Sequence, residues 1–277
     1  MAKMPWDKDA EKELKRVPFF ARGMVRRKLE ERVQKRGGAR VTVADFKEAE
    51  SRFKSVIAGK TSSELKHMLP AENIPGVEMV VLETCQHQLS DCPNVLINTE
   101  VWKNAVNKWL IEKNISERLR TRIKSDRILY HQKLHISISG CPNQCSRTQI
   151  ADFGLYGLVR PKLEATGYNF CGKCKIECPD FAIAIDNGPP AFDLSLCLGC
   201  TKCRDACAPK CINLTEPEVR VMLGGKLGRH PHLAERVVDV KSPEGLVLVL
   251  EQAVEDYLKS AMPEERFADF WLSSKSK

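Results

Sequence analysis

The sequence predicts an α+β fold in which helices flank a small sheet and a separate segment is rich in cysteine. Three observations predict it. Apolar side chains recur at helical spacing near both ends of the chain. The stretch around Ile136 and Ile138 alternates with the period of a half-buried strand. Twelve cysteines fall in short runs, most of them two or three residues apart.

Composition places the chain among globular proteins. It has 277 residues, of which 43% are hydrophobic and 29% charged. The N-terminal residues lack the apolar core of an export signal. The apolar run at 246–250 is far shorter than the roughly 20 residues of a membrane helix. We therefore expect a cytoplasmic protein with no membrane insertion.

The formal net charge of +8 is concentrated at the N-terminus. Residues 1–60 hold 17 Lys and Arg against 9 Asp and Glu, which equals the whole excess. No aromatic platform of the kind that binds single-stranded nucleic acid is interleaved with these charges. A solvated helical face explains them, and we expect no nucleic-acid partner.

Helix signals frame the chain. Residues 6–36 predict two helices separated at Pro18, and Thr42 or Asp45 is suited to cap a third. Residues 58–76 have the composition of a linker. VEMVVLETC predicts a strand that leads to Cys85, residues 98–114 predict a helix, and Ser242 with Pro243 predicts the start of another.

The cysteine spacing favours metal ligands over disulfides. A chain without an export signal keeps its thiols reduced, and cysteines two or three residues apart cannot join distant parts of a fold. Two pairs stand apart from the rest: Cys85 with Cys92, and Cys141 with Cys145 in GCPNQC.

GCPNQC followed by ADFGLYG resembles the cluster-binding signature of the siroheme-dependent sulfite and nitrite reductases. The resemblance implies that Cys85, Cys92, Cys141 and Cys145 hold one 4Fe-4S cluster and that Cys145 also bridges to siroheme iron. One departure concerns the first pair, because Cys85 and Cys92 enclose six residues where the family usually has five.

The same resemblance implies cationic contacts to the carboxylates of siroheme. Arg127, Lys133, Asn143 and Arg147 are the expected cofactor-binding residues besides Cys145, and Lys133 and Arg147 are the expected catalytic residues. The basic residues from Arg118 to Lys124 have two interpretations, siroheme contacts or a solvated helix. His230 and His232 fit surface turns or contacts to an anionic cofactor.

The cysteines after Gly157 resemble those of a bacterial two-cluster ferredoxin. Cys171, Cys174 and Cys178 precede Pro179, and a complete run follows at Cys197, Cys200, Cys203 and Cys207. In that pattern the last cysteine of each run serves the other cluster. One cluster therefore takes Cys178, Cys197, Cys200 and Cys203. Zinc would explain neither the triplet nor Pro179.

The second ferredoxin-type cluster lacks one ligand, because Tyr168 stands where the first cysteine of its run would be. Cys171, Cys174 and Cys207 remain. Cys211 is the candidate replacement, which would make three 4Fe-4S sites from twelve cysteines. The alternative is a structural Cys211 beside a three-iron cluster.

Two further resemblances concern organisation. RVPFFARGMVRRKLEERVQKRGGARVTVADFKEA resembles the C-terminal helical domain of the light-independent protochlorophyllide reductase B subunit, and it fits either a packing module or a module near a tetrapyrrole. VRVMLGGKLGRHPHLAERV resembles a strand, glycine turn and helix start of the siroheme reductases. We therefore expect a helical module at 1–58, a reductase-type cluster module at 75–164 and 216–277, and a ferredoxin domain inserted at 165–215.

These resemblances imply an iron-sulfur oxidoreductase that delivers electrons to siroheme for reduction of a small inorganic anion, sulfite or nitrite. Full siroheme reductases contain two related halves, whereas this chain has one cluster module. A second copy or another subunit could complete the site, and an electron-donor protein is required. The alternative is a non-catalytic electron-transfer subunit with three clusters and no siroheme.

Overall fold

The computed structural model describes residues 4–17, 19–57, 69–87, 91–164 and 167–275. The chain divides into two compact units, residues 1–68 and residues 69–277. Within the described residues, no helix is both long and apolar enough to cross a membrane.

The first unit contains three helices, α1 (Lys8–Arg16), α2 (Phe19–Lys35) and α3 (Val43–Ile57). Their shared core buries Leu14, Leu29, Val33, Val41 and Phe46. Thr42 caps α3, because its hydroxyl accepts from the Asp45 N–H at 3.3 Å while the Asp45 carboxylate accepts from the Thr42 N–H at 2.8 Å. These three helices are those that the sequence predicts.

The second unit contains, in chain order, β1 (Ala71–Glu72), β2 (Val80–Thr84), α4 (Thr99–Glu112), α5 (Ile115–Arg120), β3 (Arg127–Ile128), β4 (Leu134–Ser139), β5 (Phe153–Leu158), β6 (Pro161–Leu163), α6 (Lys173–Ile176), β7 (Ile183–Ala184), β8 (Ala191–Phe192), α7 (Lys202–Asp205), β9 (Ile212–Leu214), β10 (Glu218–Leu223), β11 (Glu235–Val240), α8 (Pro243–Ser260) and α9 (Phe267–Lys275). Helices and strands alternate irregularly, which confirms the α+β class.

Five of these strands form one mixed sheet in the order β11, β10, β5, β4, β2. The strands β2, β4 and β5 are parallel, and β10 and β11 pair antiparallel. One face of the sheet carries the main core, where α4, α5, α8 and α9 cover alternate side chains such as Ile136, Leu155 and Val221. Asn98 caps α4 and Ser242 caps α8, as the sequence predicts for Ser242.

The opposite face of β4 and β5 is covered by the chain itself. Because β4 and β5 are parallel, residues 140–152 must return along the sheet before β5 can begin. The return lies so close to β5 that a Cβ added at Gly154 would stand 2.0 Å from the Thr148 carbonyl oxygen. Only glycine fits there.

The residues between β5 and β10 form a separate small structure, which we call the cysteine-rich segment (residues 161–214). It begins and ends with the antiparallel pair β6 and β9, and it contains a second pair, β7 and β8, with the short helices α6 and α7. Its core consists mainly of thiols, together with Ile183 and Ile212.

Two sequence-based expectations need correction. Of the predicted linker at 58–76, residues 58–68 lie outside the described residues, and Ala71–Glu72 forms β1 against β3 rather than a linker. The helix start expected after the paired glycines is wrong. The chain there forms a loop closed by two backbone hydrogen bonds between Lys226 and His232, and then enters β11.

We expect Gly154→Ala to destabilise the second unit by about 3 kcal/mol, because the added methyl group must displace the return loop from β5. Gly188→Ala is the control, since its nearest atom is the Asp186 carbonyl oxygen at 3.8 Å. That change should stay within about 0.5 kcal/mol. Urea unfolding of the two variants measures the difference, and equal midpoints would contradict the packing argument.

Candidate metal centres

Three serines fix the return loop on β4. The Ser137 hydroxyl donates to the Ser146 carbonyl oxygen at 2.5 Å, and the Ser139 and Ser146 hydroxyls are 2.7 Å apart. The Ser146 N–H donates to the Ser139 hydroxyl at 3.2 Å. All three side chains are buried. These hydrogen bonds fix the return loop relative to β4. Cys141 and Cys145 therefore lie just beyond the end of this strand.

The thiols of Cys85, Cys92 and Cys145 all lie in the neighbourhood of the Cys141 thiol at that end. Cys85 follows β2, where its N–H donates to the Ile138 carbonyl oxygen, and its sulfur accepts from the Gly140 N–H at 3.1 Å. Burial raises the pKa of the Cys141 thiol, and the other three thiols raise it further because each is close enough to repel its thiolate. We call these four residues the core thiol set.

Two further sets of four thiols lie in the cysteine-rich segment. Burial raises the pKa of Cys203 to about 12, and the neighbouring thiols of Cys200, Cys197 and Cys178 add to the increase. We call these four cysteines the inner thiol set.

The remaining four cysteines, Cys171, Cys174, Cys207 and Cys211, form the outer thiol set. Burial raises the pKa of Cys174, with contributions from Cys171 and Cys207. The sulfurs of Cys207 and Cys211 are 3.3 Å apart.

The donor chemistry of each set, four thiols, is that of a four-iron cluster. None of the twelve cysteines forms a disulfide. Among the described residues, no three His, Cys, Asp or Glu side chains converge closely enough to hold one metal ion. A four-iron cluster binds one thiolate at each of four separate irons, so its ligands surround a volume instead of a point. Ligation by these residues stays a prediction.

A continuous line of contacts joins the inner and core thiol sets. The Val159 N–H donates to the Gly199 carbonyl oxygen at 2.9 Å, beside Cys200. Gly157 lies against Gly140, since an added Cβ would stand 2.7 Å from the Gly140 carbonyl oxygen. Gly140 directly precedes Cys141 in the chain. The cysteine-rich segment therefore packs on the sheet at the end that carries the core thiol set.

Asn143 and Arg147 lie in the return loop beside Cys145. The Asn143 amide donates to the Cys145 sulfur at 3.1 Å. The Arg147 side chain is 57% exposed, and its guanidinium contacts the Glu83 carboxylate at 3.2 Å. Cys145 itself is exposed, whereas Cys141 is buried. The structure thus brings together three of the predicted cofactor-binding residues.

Lys133 and Arg127 lie elsewhere. Lys133 is 5% exposed and directly precedes β4, so the strand separates it from Cys141 by about 20 Å at the usual rise per residue. Arg127 is exposed on β3, in register with Glu72 of β1. The predicted roles of both residues remain predictions, and neither residue joins the group around Cys145.

The arginines from Arg118 to Arg122 have partners that neither interpretation anticipated. Arg118 forms a bidentate pair with Glu255 at 2.6 and 2.7 Å, and Arg120 pairs with Glu117. Arg122 donates to carbonyl oxygens near the end of α8, including that of Met262 at 2.7 Å, and lies over the Tyr257 ring. Arg118 and Arg122 therefore hold α5 and α8 together, whereas the Arg120 pair lies within α5.

A second loop meets the return loop near Arg147. Gly225 fits against the carbonyl oxygens of Gln149 and Ala151, with an added Cβ at 2.7 and 2.6 Å. Exposed Arg229 and His230 follow in this loop. His232 is half-buried and lies 3.8 Å from Glu235. An anionic ligand at Cys145 would therefore have cationic side chains on two adjacent loops.

Sequence reasoning missed Asp152, which lies in a cleft with Lys133. The cleft is lined by Leu119, His131, Gln132, Lys133, Leu134, Asp152, Tyr257, Arg266 and Phe267. One Asp152 oxygen accepts from the His135 N–H at 2.8 Å, and the other has no hydrogen-bond partner among the described residues. Burial raises the pKa of Asp152 to about 7. No sequence signal marks this carboxyl group, because its desolvation comes from α8 and α9.

Comparison with protein families matches residues 80–272 to the nitrite and sulphite reductase 4Fe-4S domain. The chain belongs to this family. Residues 6–50 match the family described as proto-chlorophyllide reductase 57 kD subunit. The resemblances to the nitrite and sulfite reductases and to the protochlorophyllide reductase subunit are confirmed, whereas the resemblance to a two-cluster ferredoxin stays a prediction.

Individual relatives cover smaller parts. A coenzyme F420-dependent sulfite reductase of Methanocaldococcus jannaschii is 38% identical over 97 residues, which cover 35% of this chain and 16% of the relative. An uncharacterized protein of the same organism is 26% identical over 145 residues, which cover 50% of this chain and 48% of that protein. A crystal structure of dissimilatory sulfite reductase I (DsrI) has 14% identity to this chain and a TM-score of 0.44, and the match covers 74% of this chain and 50% of that chain. The chain spans less than half the length of either curated relative.

We expect Asp152→Asn to change the pH dependence of stability. A carboxyl group with a pKa of about 7 when folded and 3.8 as its ordinary value takes up a proton on folding between those pH values. The stabilisation that this carboxyl group contributes is therefore fully present below about pH 4. It is lost as the pH rises to 7, and the free energy of unfolding falls by up to about 4 kcal/mol. Urea midpoints measured at pH 5 and 7.5 should fall less with rising pH in the Asn variant. If the urea midpoint falls between these pH values by the same amount in the Asn variant and in the wild-type protein, the raised pKa of Asp152 is contradicted.

Proposed function

We propose that this chain is an iron-sulfur oxidoreductase that binds siroheme and delivers electrons for the reduction of sulfite or nitrite. The observation that carries the proposal is the exposure of Cys145 within the core thiol set. Three of the four thiols are buried or half-buried, as ligands of a cluster alone would be. An exposed fourth thiol is suited to bridge the cluster to a second cofactor.

The residues beside Cys145 support this assignment. The Asn143 amide donates a hydrogen bond to the sulfur that would bridge, and it thereby orients that sulfur. The exposed Arg147 guanidinium presents a planar donor face suited to carboxylates and oxyanions, and Glu83 holds its orientation. Arg229 adds positive charge from the adjacent loop. The proposal therefore rests on Arg147 and Asn143 rather than on Lys133.

Siroheme, when bound, would supply the iron at which the sulfur or nitrogen oxyanion is reduced. The chain would hold that cofactor through Cys145, and the guanidinium groups of Arg147 and Arg229 would neutralise its carboxylates. Family membership and the similarity to a sulfite reductase support sulfite or nitrite as the substrate class. The chain has one module of this family, so a second copy or a different subunit is proposed to close the site.

Electrons would reach the core cluster from the cysteine-rich segment. The backbone contacts from Gly199 through Val159 and Gly157 to Gly140 give the inner set a packed route to the core set. Because this packed route starts at the inner set, we propose that electrons pass from the outer set to the inner set and then to the core set. An electron-donor protein would dock near the outer set.

We expect about twelve cluster irons per chain, four for each thiol set, together with a similar amount of acid-labile sulfide. The measurement is iron and sulfide analysis of anaerobically purified protein. A content near eight irons would contradict the three-cluster proposal.

We expect siroheme to be extractable with acid acetone from protein made in cells that synthesise it. Arg147→Gln should weaken siroheme binding by about tenfold, since it removes a charge-assisted hydrogen bond. Arg118→Gln is the matched control, because Arg118 is engaged with Glu255 and should leave the pigment content unchanged.

A wild-type protein with only broad iron-sulfur absorption and no extractable pigment would instead favour the non-catalytic electron-transfer subunit. Equal pigment loss in both arginine variants would contradict the role given to Arg147.

A further inference from the structure

The outer thiol set departs from the ferredoxin pattern at one position. Tyr168 occupies the place of its first cysteine, and Cys211 is the extra thiol. The structure puts both residues in the same small core, with Cys174 and Cys207. The ordinary ligand position and its substitute can therefore be compared directly.

Cys211 is held firmly beside the other thiols. It is 2% exposed and directly precedes β9, and its carbonyl oxygen accepts from the Glu164 N–H at 2.8 Å. Its sulfur is 3.3 Å from that of Cys207. Lys210 has a left-handed backbone with φ of 56°, which turns the chain between these two cysteines so that both sulfurs lie inside.

Tyr168 fills the position that the missing cysteine would occupy. Its ring packs against the thiol core and against Phe170, with ring centroids 4.8 Å apart. The hydroxyl group is buried and has no hydrogen-bond partner within the part of the chain that the structure describes. A buried hydroxyl without a partner is unfavourable, so its surroundings call for an acceptor. The sulfur atoms of a bound cluster would be that acceptor.

We propose that Cys211 is the fourth ligand of the cluster held by Cys171, Cys174 and Cys207, and that the Tyr168 hydroxyl donates a hydrogen bond to the sulfur of this cluster. The inference rests on the cluster-binding part of the proposed function. Thiolate is the softer donor and suits iron-sulfur clusters better than a phenol oxygen. Cys211 therefore ligates the iron, and Tyr168 contributes only a hydrogen bond.

The first test is Cys211→Ala. We expect the iron content to fall from about twelve to about eleven per chain, because the iron without a thiolate is lost and a three-iron cluster remains. Electron paramagnetic resonance of the oxidised protein should then show the signal of a three-iron cluster, which an intact four-iron cluster lacks in that state. Full iron content without this signal would overturn the assignment.

The second test moves the ligand back to its ordinary place. In the double variant Tyr168→Cys with Cys211→Ala, the new thiol stands at the start of the regular cysteine run. We expect it to restore about twelve irons and to remove the three-iron signal. Failure of Tyr168→Cys to restore the cluster would contradict the claim that Cys211 replaces the ligand that is missing at position 168.

Two single variants separate ligation from packing. Ile212→Ala removes a side chain that is 2% exposed next to Cys211 and leaves every thiol in place, so the iron content should stay at about twelve. Tyr168→Phe should also keep full iron but lower the reduction potential of the outer cluster, because the reduced cluster loses a hydrogen-bond donor. Formation of a three-iron cluster in Tyr168→Phe would identify the phenol as the ligand and overturn the proposal.

These outcomes are independent of siroheme. If the wild-type protein yields no pigment but Cys211→Ala still loses one iron, the reductase proposal fails and the ligand assignment holds. If pigment is present and Cys211→Ala keeps all its iron, the ligand assignment fails and the reductase proposal holds.

Discussion

The parallel pairing of β4 with β5 is the constraint on which the rest of the second unit depends. Parallel neighbours require the chain to travel back along the sheet, and here it does so without a full helix, lying flat on the strands it connects. Buried serine hydroxyls and a glycine make that close approach possible. The return path fixes where the loop cysteines emerge, and the core thiol set follows from this geometry.

The arginines of the second unit fall into two groups, those that stabilise the fold and those that remain exposed at the surface. Arg118, Arg120 and Arg122 resemble ligand-binding cations when only their spacing is known. In the fold, carboxylates and the carbonyl groups at the end of α8 engage them, and the contacts of Arg118 and Arg122 hold α5 and α8 together. Arg147 contacts Glu83 and keeps more than half of its side chain in solvent. The exposure of the side chain distinguishes Arg147 from the half-buried Arg120, and sequence position does not.

Local signals predicted the parts of the structure that local chemistry determines. The alternation around Ile136 predicted β4, and Ser242 with Pro243 predicted the start of α8. Cysteine spacing predicted which thiols would lie near one another, since neighbours two or three residues apart must share a turn. Long-range partners were beyond such signals. Glu255 is 137 residues from Arg118, and the burial of Lys133 and Asp152 depends on helices far along the chain. The segment after Gly225 was assigned to a helix because its pairing with β10 is not visible in its own composition.

The position of the cysteine-rich segment also has a consequence for how such proteins vary. The segment leaves the sheet after β5 and rejoins it at β10, and these two strands are antiparallel neighbours. Its first and last strands, β6 and β9, pair with each other. Topologically the whole segment is therefore one enlarged hairpin turn. Lengthening a turn costs little loop entropy and leaves the strand register untouched. A sheet of this design can acquire or lose a whole cysteine-rich segment by an insertion or deletion at a single hairpin, without any change to the residues of the core thiol set.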